Sequence, residues 1–123
     1  MHANQSNPSF SLTGQSSDLV GQVFTGFGNQ VIIGREADCQ VQINASGISR
    51  HHARISYING QWVIEDLQSA NGTFVNGQRI HQPQPLQPSD TVGLASVNFT
   101  FGSSAWENRS PPAPVMDTTE SPG

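Results

Sequence analysis

Residues 53–64 read ARISYINGQWVI and contain the pattern that decides the fold. Apolar residues occupy every second position on both sides of the pair Asn59-Gly60. Such alternation points one set of side chains into a core and the other into solvent, which is the period of a β-strand. Asn-Gly readily takes the positive φ angles of a tight reversal. The stretch therefore predicts two short strands joined by a turn.

Short strands recur on both sides of this stretch. They are marked by apolar residues at 31–33, 41–43 and 99–101, and further Asn-Gly pairs stand at 71–72 and 76–77. No convincing helical period and no repeat of fixed length is present. Several short strands separated by turn residues are typical of a β-sandwich. The sequence predicts an all-β protein of two packed sheets.

Composition narrows the classes of function. The net charge is −4 and all five basic residues are arginines, so the chain lacks the positive field that attracts nucleic acids. No apolar run approaches the ~20 residues that span a bilayer, so we expect no membrane partner. The first residues are polar and do not resemble a signal sequence, so we expect a cytoplasmic location. The single cysteine, Cys39, is expected to be a small core residue.

The two ends of the chain differ from its middle. Residues 1–9 are rich in Asn, Ser and Gln and are expected to be a flexible N-terminus. The strand period stops near residue 103, and residues 103–123 are rich in Pro, Ser and Thr, as in a flexible linker or tail. The folded domain is expected at 10–102. Such a tail directly after a domain suggests the N-terminal part of a longer protein.

Two arginines lie where predicted strands end. Arg35 follows Gly34, and Arg50 follows Ser49 shortly after Gly47. Loops on a rigid scaffold are where binding residues usually lie, and the planar guanidinium fork matches a pair of phosphate oxygens. Glycine lets a ligand approach the backbone closely. These residues are therefore candidates for an anion site, although the same pattern also fits surface arginines in ordinary turns.

Three motifs stand in order along the chain: GR at 34–35, ISRHHA at 48–53 and WVIEDLQSANGTFVNG at 62–77. Together they resemble the signature of the forkhead-associated (FHA) domain, a Gly-Arg pair, a Ser-x-x-His segment, and an Asp-Leu-x-Ser-x-Asn-Gly-Thr stretch ending in a second Asn-Gly. The similarity spans about residues 10 to 102. It implies a β-sandwich of about eleven strands whose loops at one end bind a phosphothreonine peptide without a cofactor.

The resemblance assigns four residues to the ligand. Arg35 and Ser49 would bind the phosphate, Arg50 would contribute to the same oxygens, and Asn71 would hydrogen-bond the main chain of the peptide. A phosphothreonine carries about −1.5 to −2 charges at neutral pH, which suits charge-assisted bonds from arginine. The implied partner is a threonine-phosphorylated protein.

Four further residues would shape the site. The resemblance implies that His52 braces the binding loops by hydrogen bonds without touching the ligand. It implies that Gly34, Gly72 and Asn76 give those loops their conformation.

Two positions depart from the family pattern. The residue before the motif Asn often carries a hydroxyl that contacts phosphate, and here it is Ala70. Some relatives place a charged residue at the position of Gly47 to select an acidic side chain three positions after the phosphothreonine. These departures predict a differently tuned site and leave the selected side chain open.

The sequence raises three alternative functions: metal binding, hydrolysis and a phosphate-independent scaffold. His51 beside His52 does not predict a metal site, because adjacent strand residues point to opposite faces and no Cys or carboxylate cluster completes a ligand set. Ser49, His52 and Asp66 lack the nucleophile elbow of a hydrolase, so no enzymatic activity is expected. The alternative is an FHA-type sandwich that acts as a phosphate-independent scaffold, but such a scaffold would not need Arg35.

The tail suggests a regulatory hypothesis. Thr118 and Thr119 stand between acidic residues and are possible phosphorylation sites. About sixteen residues separate Thr118 from the last predicted strand and could span ~50 Å when extended. A phosphorylated tail could therefore occupy the domain's own peptide site.

Overall fold

The computed structural model describes residues 8–15 and 19–103, and within them the chain forms eleven β-strands and no α-helix. The strands are β1 (Ser9–Gly14), β2 (Val23–Phe27), β3 (Gln30–Gly34), β4 (Val41–Gln42), β5 (Ala53–Ile58), β6 (Gln61–Asp66), β7 (Thr73–Val75), β8 (Gln78–Arg79), β9 (Gln84–Leu86), β10 (Thr91–Leu94) and β11 (Val97–Ser103). None of the described residues belongs to a helix long and apolar enough to cross a lipid bilayer.

The strands form two sheets. The six-stranded sheet has the order β2-β1-β11-β10-β7-β8, and the five-stranded sheet has the order β4-β3-β5-β6-β9. Neighbours are antiparallel, apart from the parallel pair β3 and β4. The prediction of an all-β sandwich of two sheets and about eleven strands is confirmed.

The stretch 53–64 folds as its pattern predicts. Strands β5 and β6 pair antiparallel, and the turn between them contains Asn59 at φ +53° and Gly60 at φ +81°. The alternating residues Ile55 and Ile64 face each other in register and are fully buried. The turn therefore aligns the two apolar sets on the core face, because a shift of one residue would expose both.

Aromatic residues fill the core where the two sheets meet. Phe10 of β1 packs edge-on against Trp62 of β6, with ring centroids 5.2 Å apart, and Phe101 of β11 stacks on Phe10 at 5.9 Å. The indole Nε1 of the buried Trp62 donates to the Ser103 hydroxyl at 2.6 Å. This bond satisfies a polar atom whose burial would otherwise be costly.

The predicted termini fall largely outside the described residues. The first strand begins at Ser9 and the last ends at Ser103. Residues 1–7 and 104–123 are not described, so the predicted phosphorylation sites Thr118 and Thr119 lie outside the described residues.

Candidate functional site

A cleft of about 480 Å³ opens where the loops that follow β3, β4 and β6 meet. Its lining residues are Arg35, Asn44, Ala45, Ser46, Gly47, Ile48, Ser49, Ala70 and Asn71. Three of the four ligand-binding residues predicted from the sequence therefore share one cleft, although they come from separate loops.

Arg35 lies at the start of the loop after β3. Its backbone N–H donates to the Ser49 carbonyl at 3.1 Å, and its side-chain Nε donates to the Ile48 carbonyl at 3.0 Å. These two bonds hold the side chain against the neighbouring loop. Within the described residues the two terminal amino groups of Arg35 have no hydrogen-bond partner, so both are available to an anion.

Ser49 links two loops of the cleft. Its hydroxyl oxygen accepts a hydrogen bond from the backbone N–H of Ala70 at 3.0 Å. The hydroxyl proton stays available for donation to a ligand. Ala70 has no hydroxyl to offer a phosphate, and its backbone N–H is bonded to Ser49.

Asn71 closes the other side of the cleft. Its amide Nδ2 donates to the Gly47 carbonyl at 2.8 Å, which turns the side chain across the cleft mouth. Gly47 has φ +88°, and a Cβ there would lie 3.3 Å from the Cβ of Ala95. A residue with a side chain at position 47 would therefore be strained. Glycine leaves this part of the cleft wall without a side chain.

His52 is fully buried behind the cleft and joins two of its loops. Its Nδ1 accepts from the Ser49 backbone N–H at 3.1 Å, and its Nε2 lies 2.8 Å from the Gly72 carbonyl. Because Nδ1 accepts from the Ser49 N–H, it carries no proton, and because Nε2 faces a carbonyl oxygen, it does. The ring is therefore neutral, with its proton on Nε2. Burial lowers the pKa of His52, and this outweighs the opposing effects of the Gly72 carbonyl and Asp66.

Two glycines allow the loops to approach one another. A Cβ on Gly34 would lie 2.1 Å from the Arg50 carbonyl oxygen, so no side chain fits between β3 and the loop that carries Ser49. Gly72 has φ +94°, and its carbonyl accepts from both His52 and the Ala95 backbone N–H. The close contact at Gly34 and the positive φ of Gly72 are the features that their predicted shaping roles would use.

The loop after β6 is held by one carboxylate. Asp66 accepts hydrogen bonds from the hydroxyls of Ser69 at 2.5 Å and Thr73 at 2.7 Å. The Ser69 hydroxyl in turn accepts from the Gly72 backbone N–H at 2.9 Å. Burial raises the pKa of Asp66, but the hydrogen bonds from Ser69 and Thr73 outweigh it and hold the pKa below its usual value. This network positions Asn71 within its loop.

The model of the FHA domain family matches residues 31–95, which include every residue of this loop cluster that the sequence motifs marked. The chain belongs to the FHA domain family. It is 37% identical over 73 residues to the transcriptional regulatory protein EmbR of Mycobacterium tuberculosis, covering 59% of this chain and 19% of EmbR. The chain thus spans about a fifth of the length of that relative.

Solved structures give the same family. The structure of M. tuberculosis EmbR in complex with a low-affinity phosphopeptide matches with a TM-score of 0.69 and 29% identity, over 80% of this chain and 25% of that one. An FHA domain studied for phosphothreonine-dependent interactions matches with a TM-score of 0.65 and 27% identity, over 79% and 96% of the two chains.

Arg50 and Asn76 of this FHA domain are predicted site residues that do not line the cleft, as is also true of Gly34, His52 and Gly72. Arg50 is exposed, and its carbonyl oxygen accepts from the Glu36 backbone N–H at 3.2 Å. Asn76 occupies the turn between β7 and β8 at φ +52°, where its side chain bonds Asp90 and the Thr91 backbone N–H. Asn76 therefore shapes that turn, and its contacts do not reach the cleft.

Sequence reasoning missed one juxtaposition beside the cleft. The loop after β3 brings Asp38 and Cys39 next to His51. The sequence motifs had placed His51 only beside His52. Asp38 and His51 are thirteen positions apart, so no spacing rule indicated that they meet.

Proposed function

We propose that this FHA domain binds phosphothreonine peptides and thereby recruits proteins that a kinase has modified. The observation that carries the proposal is the presence of Arg35, Ser49 and Asn71 in one cleft. These residues offer two guanidinium amino groups, one hydroxyl proton and one amide oxygen. That set suits a phosphate together with an extended peptide main chain.

The charges of the cleft support an anionic ligand. Arg35 lines the cleft with a permanent positive charge, and none of the other lining residues is acidic or basic. A phosphate dianion would therefore meet one guanidinium and neutral donors without a repelling carboxylate in the lining. Exposed Arg50 follows Ser49 directly and adds positive charge near the rim. Charge-assisted bonds of this kind are about twice as strong as neutral ones.

The threonine preference rests on the apolar part of the lining. Ala45, Ile48 and Ala70 contribute apolar side chains beside the polar donors. One methyl group placed in an apolar slot contributes roughly 1–3 kcal/mol of discrimination. We therefore expect phosphothreonine to bind at least about tenfold more tightly than phosphoserine in the same peptide.

Relatives with known ligands support the same proposal. EmbR of M. tuberculosis has been solved with a phosphopeptide, and another matched FHA domain takes part in phosphothreonine-dependent interactions. The matched family consists of interaction modules, and the proposal assigns no catalytic reaction to this chain.

The test is a calorimetric titration with threonine-phosphorylated, serine-phosphorylated and unmodified forms of one peptide chosen from a phosphothreonine library. Arg35→Ala should lower the affinity for the phosphothreonine peptide by about 30-fold or more, because truncating a charged donor in a desolvated contact costs ~2–5 kcal/mol. The thermal midpoint should change little.

Arg54→Ala is the matched control. It removes the same charge from a residue that pairs with Glu65 at 2.6 Å and does not line the cleft. The affinity of Arg54→Ala for the phosphothreonine peptide should stay within about twofold of wild type. A larger loss in Arg35→Ala then reports the direct contact of Arg35 with phosphate and not the loss of one positive charge from the domain. Equal affinity for the three peptides would instead support the phosphate-independent scaffold, and undiminished binding by Arg35→Ala would place the site elsewhere.

A further inference from the structure

Three potential metal ligands meet beside the cleft. The carboxylate of Asp38, the thiol of Cys39 and the imidazole Nε2 of His51 all lie within 4.8 Å of one another. His51 Nε2 is 3.0 Å and 3.2 Å from the two Asp38 oxygens, and Cys39 Sγ is 4.0 Å from the nearer one. Asp38 and Cys39 come from the loop after β3, and His51 comes from the segment before β5.

The environment of Cys39 differs from that of a core cysteine. Its exposed fraction is only 7%, but it does not belong to the apolar cluster that fills the space between the sheets. Its thiol instead donates to the Arg50 carbonyl at 3.2 Å and faces the Asp38 carboxylate. The sequence prediction of a small core residue therefore describes its burial but not its neighbours.

The ligand separations suit a tetrahedral ion. Zinc binds sulfur at ~2.3 Å and imidazole nitrogen or carboxylate oxygen at ~2.0–2.2 Å, so its ligands lie about 3.3–3.7 Å from one another. The separations observed between Asp38 and its two neighbours bracket that range. Side-chain rotations of Asp38 and His51, whose side chains are 70% and 49% exposed, would close the remaining difference.

We propose that Asp38, Cys39 and His51 form a binding site for Zn²⁺ that clamps the loop after β3 to the segment before β5. Sulfur and imidazole ligands select zinc over Mg²⁺ and Ca²⁺, which prefer oxygen. Three protein ligands leave the fourth position to water. On binding, the Cys39 thiol releases its proton to solvent, and His51 binds through the lone pair of a neutral ring.

The clamp would act on the cleft through the backbone. The Glu36 backbone N–H donates to the Arg50 carbonyl and the Arg35 backbone N–H donates to the Ser49 carbonyl, and neither bond needs the Cys39 proton. The thiol bond from Cys39 to the Arg50 carbonyl would be replaced by the bond from sulfur to zinc. The two clamped segments are therefore the ones that carry Arg35 and Ser49. Zinc would stabilise their relative position without contacting the ligand.

The direct test adds Co²⁺, a spectroscopic substitute for zinc, to the reduced, metal-free full chain and follows thiolate-to-metal charge-transfer absorption. We expect one equivalent of Co²⁺ to give this absorption and one equivalent of Zn²⁺ to abolish it. Calorimetry should give one zinc site, and zinc should raise the thermal midpoint. Excess Mg²⁺ should not compete. No phosphopeptide takes part, so the outcome does not depend on the proposed peptide-binding function.

Cys39→Ala should remove the absorption, and His51→Asn should weaken zinc binding at least tenfold while preserving the circular dichroism spectrum. His81→Asn is the matched control, because His81 is exposed on a different loop and should leave both signals unchanged. If Co²⁺ produces no charge-transfer absorption, or if His51→Asn binds zinc as wild type does, then Asp38 and His51 form only a hydrogen-bonded pair and the proposal is wrong.

Discussion

His52 shows how one residue determines the geometry of the cleft. Its ring accepts from the Ser49 backbone N–H and donates to the Gly72 carbonyl, so it joins the loops that precede β5 and β7. The bond from Ser49 requires an unprotonated Nδ1, whereas the bond to the Gly72 carbonyl would persist in a protonated ring. Protonation at Nδ1 would place a donor against the donor of Ser49, which would separate the loops. Protonation of His52 at Nδ1 would therefore displace Ser49, which is predicted to bind the phosphate.

This arrangement predicts a pH dependence of stability. The pKa of His52 in the folded chain lies below its ordinary value of 6.5, so the unfolded chain takes up a proton first as pH falls. The stabilisation is complete above pH 6.5 and is lost as pH falls towards the folded pKa. The slope from this one group is at most about 1.4 kcal/mol per pH unit.

Urea unfolding at pH 7.5 and at several lower pH values measures this slope. His52→Gln should be less stable at neutral pH and should show a flatter dependence below pH 6.5. His51 and His81 remain in the variant, so the difference reports His52. Asp66 titrates at lower pH, because its pKa is held below the usual carboxyl value. Parallel curves for wild type and variant would contradict the assignment.

At the scale of elements, the contact between β3 and the Ser49 loop is limited by the size of residue 34. Gly34 ends β3, and the Arg50 carbonyl oxygen occupies the place where a Cβ would stand, at 2.1 Å. The parallel pairing of β3 with β4 then directs the intervening loop back beside this contact. A side chain at position 34 would push the loop outward, and Arg35 and Ser49 would no longer face one cleft.

Gly34→Ala should therefore lower the free energy of unfolding by at least about 2 kcal/mol and abolish phosphopeptide binding. Gly60→Ala is the control, because a Cβ there meets no atom within 4 Å. That variant carries only the strain of its φ of +81°, about 1–2 kcal/mol, and should bind peptide as wild type does. Denaturant unfolding and calorimetry separate the two effects. Intact binding by Gly34→Ala would show that the loop tolerates displacement.

At the scale of the whole molecule, the tail hypothesis stays a prediction, since Thr118 and Thr119 lie outside the described residues. If a phosphorylated tail occupies the cleft in cis, phosphorylation at either threonine should weaken binding of a separate phosphopeptide at least tenfold. The effect should not depend on protein concentration, because the two sites are in one chain. Thr118→Val with Thr119→Val should abolish it. Unchanged peptide affinity after phosphorylation would exclude self-docking.

Much of the fold was readable from local pattern. The alternation around Asn59-Gly60 predicted the β5–β6 hairpin, and the turn took positive φ at both residues. This succeeded because strand period and turn geometry depend on neighbouring residues. The local pattern does not predict that Asn76 forms hydrogen bonds with Asp90 and Thr91 away from the cleft, because these bonds join positions that are distant in sequence.

The sequence by itself determined the fold class, the family motifs and the identity of Arg35, Ser49 and Asn71 as candidate ligands. Only the tertiary structure decided that these three share a cleft, that the Ala70 N–H is bonded to Ser49, and that Cys39 meets Asp38 and His51. The reason is physical: period and turn chemistry act over a few residues, whereas a binding site is made by loops that only sheet packing brings together.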